Sequence, residues 1–127
     1  MKEKTPLILL VEDDIFLLSL YSTKFVAHAC SIRGARSAAE ALDELKTIKP
    51  SLIILDVVLP DEDGIMLLKK IKRAKGTASI PVVMLSNLSD PSYREQALIY
   101  GAEDFWIKMH FDPSEIVAKA LAIINKK

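Results

Sequence analysis

The sequence is short of cysteine, of histidine and of net charge, and each shortage removes a class of function. One cysteine, Cys30, among 127 residues leaves no internal disulfide framework and no cysteine-built zinc site, so the expected role is that of a small buried hydrophobe. The two histidines, His28 and His110, stand far apart and suggest neither a metal site nor phosphotransfer by histidine. Seventeen basic residues balance 17 acidic ones, so no overall field draws the chain to nucleic acid or to an anionic membrane, and no direct contact with either is expected. Nowhere do about 18 apolar residues run together as a membrane span requires. The opening MKEKTP carries no signal-peptide core, and a soluble, cytoplasmic protein is expected. No glycine-rich loop follows the first apolar run, which argues against a nucleotide- or flavin-binding module.

What is present is a half-hydrophobic chain of the size of one domain, able to bury a core without staples, and a single domain over residues 1–127 is expected. Five short apolar runs, LILLV (7–11), CSIRGA (30–35), LIIL (52–55), PVVML (81–85) and FWI (105–107), alternate with helical patterns. The first, third and fourth are continuously apolar, as strands covered by helices on both faces should be, while the other two suit sheet edges. Between them, residues 15–28 read as a first helix, with His28 placed to meet its C-terminal dipole. Ser37 and Glu40 form an S-x-x-E capping box for a second helix, which ends ahead of Pro50. The third, residues 64–75, sets Ile65, Leu68 and Ile71 against a lysine-rich face expected to be solvated and to complement the dipole in its last turns. Asp90–Pro91 opens a fourth that stops at Gly101, and Asp112, Pro113 and Glu115 open a fifth. Five right-handed βα units predict an α/β, flavodoxin-like, doubly wound five-stranded parallel sheet of order 2-1-3-4-5 with five helices.

In such sheets ligands bind beyond the carboxyl ends of the strands. Those ends are all polar here: Glu12, Asp13 and Asp14 after the first strand, Asp56 after the third, Ser86 and Asn87 after the fourth, Lys108 after the fifth. Converging carboxylates repel unless a proton or cation neutralises them, and hard oxygens without imidazole or thiolate select magnesium, manganese or calcium. Magnesium fits best, with manganese as the alternative, because few protein ligands leave room for water and a phosphate. An amine opposite the metal would supply positive charge to a phosphoryl group in transfer.

Taken in order, LLVEDD, LIILDVVLPDEDG, VVMLSN and FWIK resemble the receiver domain of two-component response regulators, across essentially the whole chain. The resemblance implies that Asp56 accepts a phosphoryl group from a histidine kinase or a histidine phosphotransfer protein. It implies a magnesium ion held by Asp13 and Asp56, by Glu12 through water, and by the backbone carbonyl of Val58. Lys108 would pair with the carboxylate before transfer and with the phosphoryl group after it. Ser86 and Phe105 match the switch positions: the hydroxyl moves to the phosphoryl oxygen, the ring turns inward, and the surface of helix four, strand five and helix five is remodelled for a downstream protein target. Dimerisation on phosphorylation would use the same face, near Tyr93, Ile99 and Tyr100. No output domain is expected in this chain. Asp14 is assigned to capping the first helix.

The chain departs from the family pattern at three places. Met109 follows Lys108 where the family usually has a cis-linked proline, Asn87 stands where it favours a very small residue, and Val58 and Leu88 offer an attacking water nothing polar. Two other readings accompany the phosphoacceptor. One is a degenerate receiver kept as a constitutive binding platform. The other is a magnesium-dependent aspartate-nucleophile phosphohydrolase, against which Val58 speaks, because such enzymes carry an acid two residues after the nucleophile.

Overall fold

A computed structural model of the chain describes residues 5–126. The continuously apolar runs become strands that need covering on both faces, and the helices between them supply the cover. The elements are β1 (Leu7–Val11), α1 (Ile15–Ala27), β2 (Ser31–Ala35), α2 (Ala38–Glu44), β3 (Leu52–Leu55), α3 (Gly64–Arg73), β4 (Val82–Ser86), α4 (Pro91–Ile99), β5 (Asp104–Ile107) and α5 (Pro113–Ile124). A single 3-10 turn, Lys108–His110, joins β5 to α5. All strand pairs are parallel, in the order β2-β1-β3-β4-β5 predicted from the alternation. One face of the sheet packs against α2, α3 and α4 through Leu9, Ile53, Leu55, Met84, Leu67 and Leu68. The other packs against α1 and α5 through Ile8, Ile54, Leu85, Phe25 and Val117. Cys30 lies in that second cluster, buried as expected.

The helix starts follow their sequence signals with one difference. Asp14, Asp63, Asp90 and Asp112 each accept backbone N–H bonds at the starts of α1, α3, α4 and α5, and Asp112 with Glu115 makes a full reciprocal box. At α2 the box is only half formed. Ser37 accepts from Glu40 N–H, but the Glu40 carboxylate accepts from Arg36 N–H rather than from the Ser37 amide. The free N–H groups of Ala38 and Ala39 instead donate to the two oxygens of Asp61, which reaches over from the β3–α3 loop and is held below the usual carboxylate range by those bonds. The lysine-rich end of α3 also differs from a simply solvated face. Lys72 donates to the carbonyls of Ala78 and Ile80, Lys70 pairs with Glu62 at 2.7 Å, and Lys69 sits 4.1 Å from the Tyr100 ring centroid. The flexible stems fold back because loop carbonyls and an aromatic face lie within reach.

Two backbone positions carry opposite constraints. Gly64 opens α3 pressed against the end of β3, and its N–H donates to the Val57 carbonyl at 2.7 Å. A Cβ there would lie 2.0 Å from the Asp56 carbonyl oxygen, so only glycine permits the approach. Ala29, just after α1, sits at φ 64°, a left-handed conformation that glycine adopts more cheaply. We therefore expect Gly64→Ala to lower folding stability by about 1 to 3 kcal/mol and Ala29→Gly to raise it by up to about 1 kcal/mol, both read from denaturant midpoints.

Candidate functional site

Parallel order puts the C-terminal ends of β1, β3, β4 and β5 along one edge of the sheet, and the polar residues there line a pocket of 340 Å³. Its walls are Glu12, Asp13, Asp14 and Leu17 from the β1–α1 side, Asp56 and Val58 from β3, Ser86, Asn87 and Leu88 from β4, and Lys108 from β5. Every strand-end residue singled out in the sequence is thus in one place. Phe105 and His110 are not among the lining residues. Phe105 packs in the core on the α4 side, and His110 sets its ring edge-on to Phe111.

Three polar side chains are buried there: Glu12 at 3%, Asp56 at 6% and Ser86 at 1% exposure. Two carboxylates leaving water so close together require a counter-charge, and the Lys108 ammonium supplies it. Its Nζ lies 2.5 Å from Glu12 Oε1 and 2.6 Å from Asp56 Oδ2. The remaining oxygens are also occupied. Glu12 Oε2 accepts from the Asp14 amide at 2.9 Å, and Asp56 Oδ1 accepts from the Val58 amide at 3.1 Å. Burial raises the Glu12 carboxyl above its ordinary value, outweighing the bonds from Lys108 and the Asp14 amide. For Lys108 burial pulls the other way, yet its bonds to Asp56 and Glu12 outweigh it and hold the ammonium above its ordinary value. The amine is therefore a fixed cation at neutral pH.

The sequence brought Lys108 together with Asp56, and the structure adds a direct contact between Lys108 and Glu12. Asp14 caps α1 through Oδ1, which accepts from Phe16 and Leu17. Ser86 Oγ faces the Leu88 amide at 3.4 Å. The peptide between Lys108 and Met109 is trans, and the Met109 N–H, which a proline would lack, donates to Asn87 Oδ1 at 3.0 Å. The roles of Asn87, Asp61 and Arg36, whose Nε donates to the Asp13 carbonyl, were not read from the sequence. Each contact joins segments 22 or 23 residues apart, and no spacing rule reports such a pairing.

The donor set is all oxygen, with no imidazole or thiolate, and so fits a hard dication in kind. As the side chains stand, no three acids among the described residues are gathered as a ready-made metal cluster, and Lys108 takes one oxygen each from Glu12 and Asp56.

The comparisons with known proteins agree with this fold. The profile of the response regulator receiver domain matches residues 8–121. The transcriptional regulatory protein GltR of Pseudomonas aeruginosa is 35% identical over 119 residues, which make up 94% of this chain and 49% of that protein. The phosphate regulon transcriptional regulatory protein PhoB of Escherichia coli is 33% identical over 119 residues, covering 94% and 52%. The chain spans about half the length of these two relatives. Among solved structures, a putative response regulator from Chloroflexus aurantiacus superimposes with a TM-score of 0.88 at 29% identity, covering 97% of this chain and 100% of that one. Order of strands, pocket and matched residues lead to one conclusion: the chain belongs to the response regulator receiver domain family of two-component signalling.

Proposed function

We propose that this receiver takes a phosphoryl group on Asp56 from a histidine kinase or a histidine phosphotransfer protein. The observation that carries the reading is a carboxylate on the tip of a buried central strand, held at one oxygen by a backbone N–H and at the other by a fixed ammonium. An Asp56 oxygen attacks phosphorus as the bond from phosphorus to the donor imidazole breaks, and the imidazole, protonated on its other ring nitrogen, leaves neutral. Lys108 then transfers its contact from the carboxylate to the equatorial phosphoryl oxygens, whose charge it offsets. Asp13, Asp56, the Val58 carbonyl and, through water, Glu12 would hold magnesium. The ion would supply charge neutralisation on the phosphoryl oxygens. Phe16 and Met109, 83% and 81% exposed, adjoin the pocket-lining residues in sequence and offer a donor protein an apolar rim.

Ser86 is the proposed switch, its buried hydroxyl moving to the phosphoryl group. Phe105 is 6% exposed, already inside the core, and Arg94 of α4 bonds both its carbonyl and the Asp104 carboxylate. Phosphorylation would therefore hold the α4–β5–α5 face in its present form for a protein target or a second copy, rather than create that form. The same inward ring favours, as a second reading, a constitutive binding platform. Labelling separates the two.

Intact mass after incubation with acetyl phosphate and magnesium should show one added phosphoryl group, absent without the metal and absent in Asp56→Asn. No addition under any condition would leave only the platform. Lys108→Ala should slow labelling by roughly 10²-fold. Val58 and Leu88 both line the pocket, and neither side chain offers a polar group to orient an attacking water. The phosphoryl group should outlast minutes, and Val58→Asn should shorten that lifetime in a time course of intact mass.

A further inference from the structure

We propose that Asn87 is a positioning residue for Lys108, acting through the amide that Met109 supplies in place of a proline. The inference deepens the phosphoacceptor reading and rests on it. Pairing of β4 with β5 ends at Ser86 opposite Ile107, immediately before Lys108. Beyond that rung the backbones part, and the Asn87 side-chain carbonyl reaches across to take the Met109 N–H at 3.0 Å. Lys108 is thereby anchored on both sides, by the last rung of the sheet at Ile107 and by the side-chain rung at Met109. Its own carbonyl accepts from Phe111 and closes the 3-10 turn.

The root of the lysine needs such fixing because its four-carbon stem is otherwise free to rotate, and its amine must meet two buried carboxylates at once. Two residues that look unrelated in the sequence therefore form one device. Without the amide of Met109 the Asn87 oxygen has no partner across the gap, and without Asn87 the amide is left to solvent. Both side chains are exposed, so the bond serves geometry rather than the core, and either residue can be changed without cutting into packing.

The test compares wild type, Asn87→Ala, Asn87→Asp, Met109→Pro and the double variant Asn87→Ala with Met109→Pro. Without any phosphoryl donor, Asn87→Ala should speed hydrogen exchange of the Met109 amide by about tenfold, the worth of one hydrogen bond, and shift or broaden the Lys108 ammonium signal in nitrogen-resolved NMR. Asn87→Asp keeps an acceptor oxygen and should retain the protection of the amide. With acetyl phosphate and magnesium, Asn87→Ala and Met109→Pro should each slow labelling of Asp56 severalfold, and the double variant should be no slower than the slower single one. An unchanged Met109 amide and Lys108 signal in Asn87→Ala would overturn the proposal, as would losses that multiply in the double variant. If wild type takes no phosphoryl group, the phosphoacceptor reading falls, while the exchange and ammonium measurements still decide whether Asn87 positions Lys108.

Discussion

The arrangement turns on one ammonium shared by two buried carboxylates. Glu12 and Asp56 end adjacent central strands, and both are nearly sealed from water. Left alone they would repel, and burying either without a partner would cost several kcal/mol. Lys108 meets both from β5, on the far side of β4, so the charge balance at the sheet edge requires all four strands to be in place. The site is in that sense a report on the completed fold. On the proposed reading, a phosphoryl group arriving at Asp56 would compete for the same ammonium, and the pocket would respond to one added charge.

Much of the remaining structure serves to keep that edge still. Gly64 lets α3 start in contact with the Asp56 carbonyl, so the strand tip is braced from behind. The β3–α3 loop is fastened at two further points, by Asp61 on the start of α2 and by Glu62 on Lys70. On the other side Arg94 ties α4 to β5 through Asp104 and the Phe105 carbonyl, and Trp106 Nε1 donates to the second Asp104 oxygen. Asp104 also accepts from the Phe105 N–H and so is a small junction of three donors. These polar contacts brace the α4–β5 junction, whose Ala97, Phe105 and Trp106 are buried in the core.

The legible parts of the sequence were those governed by short periods. LIIL at 52–55 announces a strand buried on both faces because nothing in it tolerates water, and Asp112, Pro113 and Glu115 announce a helix start because the orphan amides there accept only a few partners. The α2 start was misread in one detail for a physical reason. Glu40 can serve either of two amides on its own side and takes that of Arg36, while Asp61 from a distant loop takes those of Ala38 and Ala39. The lysines of α3 likewise looked solvated because a sequence does not show which carbonyls will lie beside them. Lys72 finds two, at Ala78 and Ile80.

By itself the sequence determined the alternation of strands and helices, the parallel order, and the placing of Glu12, Asp13, Asp56, Ser86 and Lys108 at strand ends. Each of these follows from local pattern and from the handedness of βα crossovers. Only the tertiary structure decided which partners those residues take. Glu12 is held directly by Lys108, Phe105 already lies inside, and Asn87 spans the gap to an amide that a proline would have removed. Hydrogen bonds form over about 3 Å, and whether residues far apart in sequence come that close depends on how every element packs, which no local pattern encodes.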